Sequence, residues 1–249
     1  MFFLIKNLVE ISICITKLQQ HDKTLILQFR HKNMLVLWII LLIIWIIWLV
    51  LWFYFLYFLR QPIRDIPDDN ECFVSPANGK IIAIINNPTE DEVLYKKNSK
   101  VMDNFVKDLW EWCTMVSIMM TVMNAHYQKA PNKATLIDQE YYPGKKYNAI
   151  RRAYTMRATF QNEYNNMLFE QEDGIRFRVI QIAWQLARRI VPLLEINDTV
   201  EQWDTIGLIK FWSQVTIVFD KNVDVIAKVW DIVVDGETII AKAKNTAKE

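Results

Sequence analysis

Near the N-terminus apolar residues run together instead of alternating with polar ones. Residues 34–59 carry no charged side chain, and about 20 apolar residues already cross a bilayer core as a helix. The stretch is longer than a usual buried helix and ends without the small-residue cleavage site of a secretory signal, so it predicts a membrane-embedded helical anchor. Lys23, Arg30 and Lys32 precede it and Arg60 and Arg64 follow it. Basic residues on both sides fit a re-entrant hairpin with both ends in the cytoplasm as well as a single tilted span. Residues 1–33 mix apolar and basic positions and read either as a membrane-surface segment or as chain upstream of a true start at Met34. Pro62 and Pro67 then stop the helix in a short polar linker.

Beyond Cys72 the pattern becomes a series of short apolar runs, at 80–85, 114–120, 155–160, 176–182, 208–211, 215–219, 223–229 and 238–241. Separated by turn residues, they predict a mainly β (α+β) domain, a β-rich barrel or sandwich with a hammerhead-like C-terminal part, over residues 60–249. One helix is expected at 99–110, where Val101, Phe105, Val106 and Leu109 share a face. Two late segments, 197–207 and 229–239, are alike. Both resemble the turn-strand-turn-strand unit of biotinyl and lipoyl carrier domains, but neither presents a lysine at its hairpin tip to take such a cofactor.

The 52% hydrophobic content is concentrated in the anchor, and the net charge of +1 offers no bulk electrostatic attraction for nucleic acid. Cys14, Cys72 and Cys113 form no CxxC pair, which indicates a reducing compartment. No HExxH, Walker loop, GxSxG or metal-ligand cluster occurs, so no metal is expected. His21 and His31 lie before the anchor. His126 is therefore the sole imidazole of the globular part, a group type that can give and take a proton near neutrality.

Four stretches, in order, resemble the phosphatidylserine decarboxylase family, in particular its short bacterial and archaeal-type members. Arg60-Gln61-Pro62-Ile63-Arg64, followed by Val74-Ser75-Pro76-Ala77-Asn78-Gly79-Lys80, is similar to the family's FFRDPxR and SPADGK. Met123-Asn124-Ala125-His126-Tyr127-Gln128-Lys129-Ala130-Pro131 matches FDVHxNRxP. Tyr142-Pro143-Gly144-Lys145 with Asn162-Glu163 is close to the PGK and NER elements. Gln181-Ile182-Ala183-Trp184-Gln185-Leu186-Ala187-Arg188-Arg189-Ile190, with Gly207-Leu208-Ile209-Lys210-Phe211-Trp212-Ser213-Gln214-Val215, corresponds to QIAGxxARRI and GxIxFGSxV.

The resemblance implies a membrane-anchored proenzyme that cuts itself between Trp212 and Ser213, giving chains 1–212 and 213–249. Ser213 would become a covalent pyruvoyl group, which forms a Schiff base with the serine headgroup and accepts electrons as carbon dioxide leaves. His126 is the acid/base candidate, and Asn78, at a family aspartate, the position for support of self-processing. The implied partner is a membrane phospholipid substrate, the two cleavage products stay associated, no nucleic acid is involved, and a homodimer is compatible. The catalytic domain is expected at the cell membrane on its cytoplasmic side. A related serine phospholipid is the nearest alternative substrate, and an inactive membrane-tethered β-domain with a binding role is the alternative from another class.

Several positions depart from the family pattern. Asn78 and Asn124 stand for aspartate and Lys129 for arginine. Trp184, Trp203, Trp212 and Trp230 stand where the resemblance implies glycine, two of them in turns directly before aspartate. The chain holds 5 glycines and 10 tryptophans, against roughly 17 glycines at average use. Most of these tryptophans are expected to be glycines in the cell, written as Trp because a reassigned UGA codon is translated under the wrong code.

Overall fold

An uncharged apolar segment satisfies its backbone most readily as a helix. In the computed structural model, which describes residues 30–69, 71–88, 102–109, 112–144, 162–183, 190–210 and 213–244, the first element is helix α1, Arg30–Phe58, whose final turn, Phe53–Phe58, is π-helical. No proline or glycine interrupts it. The helix is unbroken from Arg30 to Phe58. Its 29 residues reach about 44 Å at 1.5 Å each, longer than a hydrocarbon core of about 30 Å. Over residues 34–52 most of its side chains, Trp38, Ile44 and Leu51 among them, stand about half exposed or more. The chain divides into two compact units between Phe55 and Leu56.

The second unit contains strands β1 (Cys72–Val74), β2 (Gly79–Asn86), β3 (Thr114–Met120), β4 (Tyr127–Lys129), β5 (Ala134–Tyr142), β6 (Tyr164–Glu170) and β7 (Arg176–Ala183). These are followed by β8 (Ile190–Pro192), β9 (Thr199–Val200), β10 (Thr205–Ile209), β11 (Ser213–Phe219), β12 (Val223–Val225), β13 (Ile232–Val233) and β14 (Ile239–Ala243). Eight strands form a sheet in the order β13-β2-β3-β11-β7-β6-β5-β9, and two three-stranded sheets have the orders β1-β14-β12 and β4-β10-β8. The mainly β expectation holds. The run at 155–160 lies outside the described residues, the helix at 99–110 is described only as a short helical turn at 102–106, and the strand expected over 223–229 stops at Val225.

The sheets obey an internal two-fold. Strands β13-β2-β3-β11 of the large sheet correspond to β9-β5-β6-β7, and β1-β14-β12 corresponds to β4-β10-β8. Main-chain bonds come in matched pairs. Val74 N–H donates to Pro131 O at 3.0 Å and Lys129 N–H to Pro76 O at 2.9 Å; Ile81 donates to Asp231 and Leu136 to Asp198, both at 2.9 Å. β2 and β5 each carry an irregularity after their third residue, Ile81 and Leu136 respectively. The axis passes between Ile217 and Val179, opposed in the central β11–β7 pair. The similar segments at 197–207 and 229–239 are the part of this duplication visible in sequence.

The core sits beneath the large sheet, with Phe73, Phe169, Phe177 and Phe219 buried together. A second cluster, Met102, Phe105, Tyr164 and Ile180 among it, packs the helical turn against the sheet.

Candidate active site

β11 enters the middle of the large sheet at Ser213, which faces Met120 of β3 on one side and Ala183 of β7 on the other. A seven-residue strand buried along its whole length calls for a largely apolar sequence, and SQVTIVF is apolar or hydroxyl-bearing at every position but Gln214. Ser213 is fully buried, and its hydroxyl is directed to the Met120 thioether at 3.3 Å. Sulfur is a weak acceptor. An ordinary buried strand serine would satisfy itself on a backbone carbonyl, so this hydroxyl is held lightly.

His126 lies on the connection from β3 to β4. The turn before it is fixed by Asn124, whose side-chain oxygen accepts from both the Thr121 N–H and hydroxyl at 2.8 Å. The Asn124 carbonyl lies 2.8 Å from His126 Nδ1. A carbonyl can only accept, so Nδ1 carries the hydrogen and Nε2 is the basic nitrogen of the neutral ring. The imidazole is buried and stacked on Phe58, with centroids 4.0 Å apart.

Gln128, two residues on, donates to the His126 carbonyl at 2.7 Å and lies 3.9 Å from the same Met120 sulfur that receives the Ser213 hydroxyl. The fold thus gathers Ser213 and His126 at one end of the large sheet, around Met120 and Gln128.

Asn78 precedes β2 at that same end, where the backbone of Gly79 runs so close to the Met119 carbonyl that a Cβ would collide with it. Both ends of the Asn78 amide are occupied. Its nitrogen donates to Asp235 and its oxygen accepts from Arg64 at 3.2 Å. Asp235 is nearly fully buried, and Arg64 grips the same Oδ1 through Nε at 3.0 Å and a terminal nitrogen at 2.6 Å. A buried carboxylate is tolerated because it is paired in this way. The carboxylate expected from the family at position 78 is therefore absent, and the negative charge of this corner is on Asp235.

Lys129 is also buried. It donates to Thr205 Oγ1 at 2.7 Å and Gln61 Oε1 at 3.1 Å and lies 4.2 Å from the centre of the Trp203 ring. Burial holds its ammonium below the ordinary lysine pKa, with Asp235 and Asp204 opposing that shift.

Of the residues singled out in the sequence, Ser213, His126 and Asn78 are placed at the same end of the sheet, whereas Trp212 and Trp184 lie outside the described residues. Asp235, Gln181 and Phe58 were missed as site residues. Gln181 and Phe58 lie in or beside the matched stretches, but Asp235 carries no motif, and only its burial reveals it. The pyruvoyl group would be built from Ser213 itself, and a buried serine at a strand end, joined to the His126 backbone through Met120 and Gln128, fits that origin.

The sequence model of the family described as phosphatidylserine decarboxylase matches residues 52–241. A protein of Geotalea uraniireducens named phosphatidylserine decarboxylase proenzyme is 33% identical over 187 residues, covering 75% of this chain and 78% of its own. Proteins of the same name are similar in Trichlorobacter lovleyi, 31% identical over 189 residues with 76% of each chain covered. In Amoebophilus asiaticus the likeness is 32% over 196 residues, covering 79% of this chain and 78% of the relative.

Proposed function

The chain belongs to the phosphatidylserine decarboxylase family, and from that membership we propose that it is a membrane-anchored enzyme converting phosphatidylserine to phosphatidylethanolamine after cutting itself before Ser213. The observation that carries this reading is the buried Ser213 hydroxyl, directed to the Met120 thioether at the strand end that also receives His126.

In self-cleavage the Ser213 hydroxyl attacks the carbonyl of residue 212 and the amide becomes an ester. Elimination then releases residues 1–212 as a carboxylate; water enters, ammonia leaves, and a ketone remains at the new terminus. That ketone supplies an electron sink for carbon dioxide loss. His126 holds a proton on Nδ1 against the Asn124 carbonyl, which leaves Nε2 to take a proton and return it to the substrate carbon. Phe58 and Met120 exclude water from the two groups. The α1 helix keeps the domain beside a lipid that seldom leaves the bilayer, with the domain on the cytoplasmic side.

The product beginning at Ser213 contributes β11, β12, β13 and β14. Three of these are hydrogen-bonded to strands of the longer product, β11 to β3 and β7, β13 to β2, and β14 to β1. The two pieces accordingly remain one domain.

Intact mass and gel analysis of the purified protein tests the reading. Two chains meeting at position 213, the smaller with a carbonyl-reactive N-terminus, are expected, and Ser213→Ala should stay uncut and inactive. Decarboxylation by an uncut Ser213→Ala chain would sink the assignment.

A further inference from the structure

The internal two-fold pairs residues around the candidate site with residues that perform no chemistry. Phe73 faces Ala241 in the β1–β14 pair, and Gln128 faces Gly207 in the matching β4–β10 pair. Phe219 faces Thr114 in β11–β3, and Gln181 faces Asn165 in β7–β6. In the first half Phe73 and Phe219 meet edge to face with centroids 5.2 Å apart. In the second, Gln181 donates to Gln128 Oε1 at 2.7 Å. The fold therefore accepts apolar packing at these two places, yet one half buries amides there, which costs free energy unless every polar atom is bonded.

Here the amides bond in series. Gln139 donates to Asn165 Oδ1 at 3.1 Å, Asn165 to Gln181 Oε1 at 3.0 Å, Gln181 to Gln128, and Gln128 to the His126 carbonyl at 2.7 Å. All donors point the same way because the last acceptor is a carbonyl, which cannot donate. Turning any inner amide over breaks two bonds, and aligned bonds polarise one another. Gly207 makes room, since a Cβ there would overlap the Gln181 amide.

Resting on the reading of Ser213 and His126 above, we propose that Gln128 and Gln181 are positioning residues: the amide relay fixes the His126 backbone and keeps Met120, with the Ser213 hydroxyl on it, in register with the imidazole. Gln128→Glu retains the shape but loses the donor to the His126 carbonyl until the carboxyl is protonated. Its kcat should fall about a hundredfold near neutrality with KM little changed, and recover as pH is lowered. Gln128→Phe with Gln181→Phe should fold, as the matching pair does in the other half, and be inactive. A folded variant of either kind with wild-type kcat and pH profile overturns the proposal, as does failure of the double variant to fold, which would make the relay a requirement of the fold. A wild-type chain that neither cuts nor decarboxylates refutes the reading of Ser213 instead. The relay is then judged by side-chain amide exchange at Gln181, which Gln128→Leu, by removing its acceptor, must accelerate.

A different observation supports a second inference. Four turns share one backbone shape, with Asn197, Trp203, Trp230 and Gly236 in third place at φ of 77°, 73°, 80° and 75°. They close from Asp198 to Glu195 at 3.0 Å, Asp204 to Glu201 at 3.1 Å, Asp231 to Lys228 at 3.1 Å and Glu237 to Val234 at 3.3 Å. The two-fold matches Trp203 with Gly236 and Trp230 with Asn197. Glycine and asparagine tolerate this left-handed region, whereas a bulky side chain is strained in it. The Trp203 indole N–H is also buried without a hydrogen-bond partner among the described residues, and its ring fills the space where a Gly236 Cβ would stand.

We infer that positions 203 and 230 are glycine in the protein its own cells make, through a UGA codon read as glycine. Peptides from the native source spanning each position should be lighter by the difference between a Trp and a Gly residue. In recombinant protein Trp203→Gly should raise the melting temperature by about 2–4 °C. Native peptides retaining tryptophan, or UGG codons at both positions, overturn the inference.

Discussion

Phe58 lies on the imidazole of His126, with ring centroids 4.0 Å apart and planes 29° from parallel. Phe58 belongs to the last turn of α1, so that turn covers one face of the imidazole. Phe58→Ala should remove the cover from the ring and lower kcat/KM about tenfold or more, with a stability loss of about 3 kcal/mol for an emptied buried aromatic site. Phe58→Leu should recover much of both. Unchanged turnover in Phe58→Ala would show that the stacking has no catalytic use.

Asp235 receives Arg64 and Asn78 together. Asp235→Asn leaves a largely buried guanidinium with only the more distant Glu237 carboxylate, at 3.8 Å, and should cost about 3 kcal/mol by chemical denaturation. Adding Asn78→Asp to Asp235→Asn moves the charge one contact along and should restore most of that loss. An additive double mutant would exclude the coupling.

Burial pushes the Cys113 thiol up to about 11 from 9.0. The folded chain then keeps a proton that the unfolded chain gives up above its lower pKa. The stabilisation is complete below pH 9.0 and is lost as pH rises toward about 11, on the order of 2 kcal/mol in all. Cys72 is shifted the same way by burial and by Asp69. Denaturation midpoints measured across this range should fall for wild type and fall less for Cys113→Ala.

Self-cleavage should not divide the domain. The product from Ser213 onward holds the central strand β11, so the pieces should co-elute on gel filtration and separate only in denaturant. Separation under native conditions would contradict the observed strand pairing.

β2, β3, β7 and β11 were legible because each is a nearly continuous apolar run, as a strand covered on both faces must be. β5 and β6 were not, since Gln139, Asn165 and Asn166 break the pattern. A polar residue inside a strand ordinarily marks the solvent face, but Asn165 points inward because Gln139 and Gln181 are there to bond it. The motif order fixed attention on Ser213 and His126, while Gln181 passed as one letter of a motif and Asp235 as part of a turn. Trp203 and Trp230 were marked as misfits by local turn chemistry, and their positive φ values agree with that reading.

By itself the sequence determined the long apolar helix and the β class, since these follow from uninterrupted hydrophobicity and run length along the chain, while Ser213 and His126 were marked by the likeness of their motifs to those of the family. Only the tertiary structure decided that α1 is unbroken, that the domain is duplicated about Ile217 and Val179, and that one half carries amides where the other carries phenylalanines. Those facts depend on which strands lie side by side, and strand pairing joins residues such as Gln128 and Gln181 that are far apart in the chain.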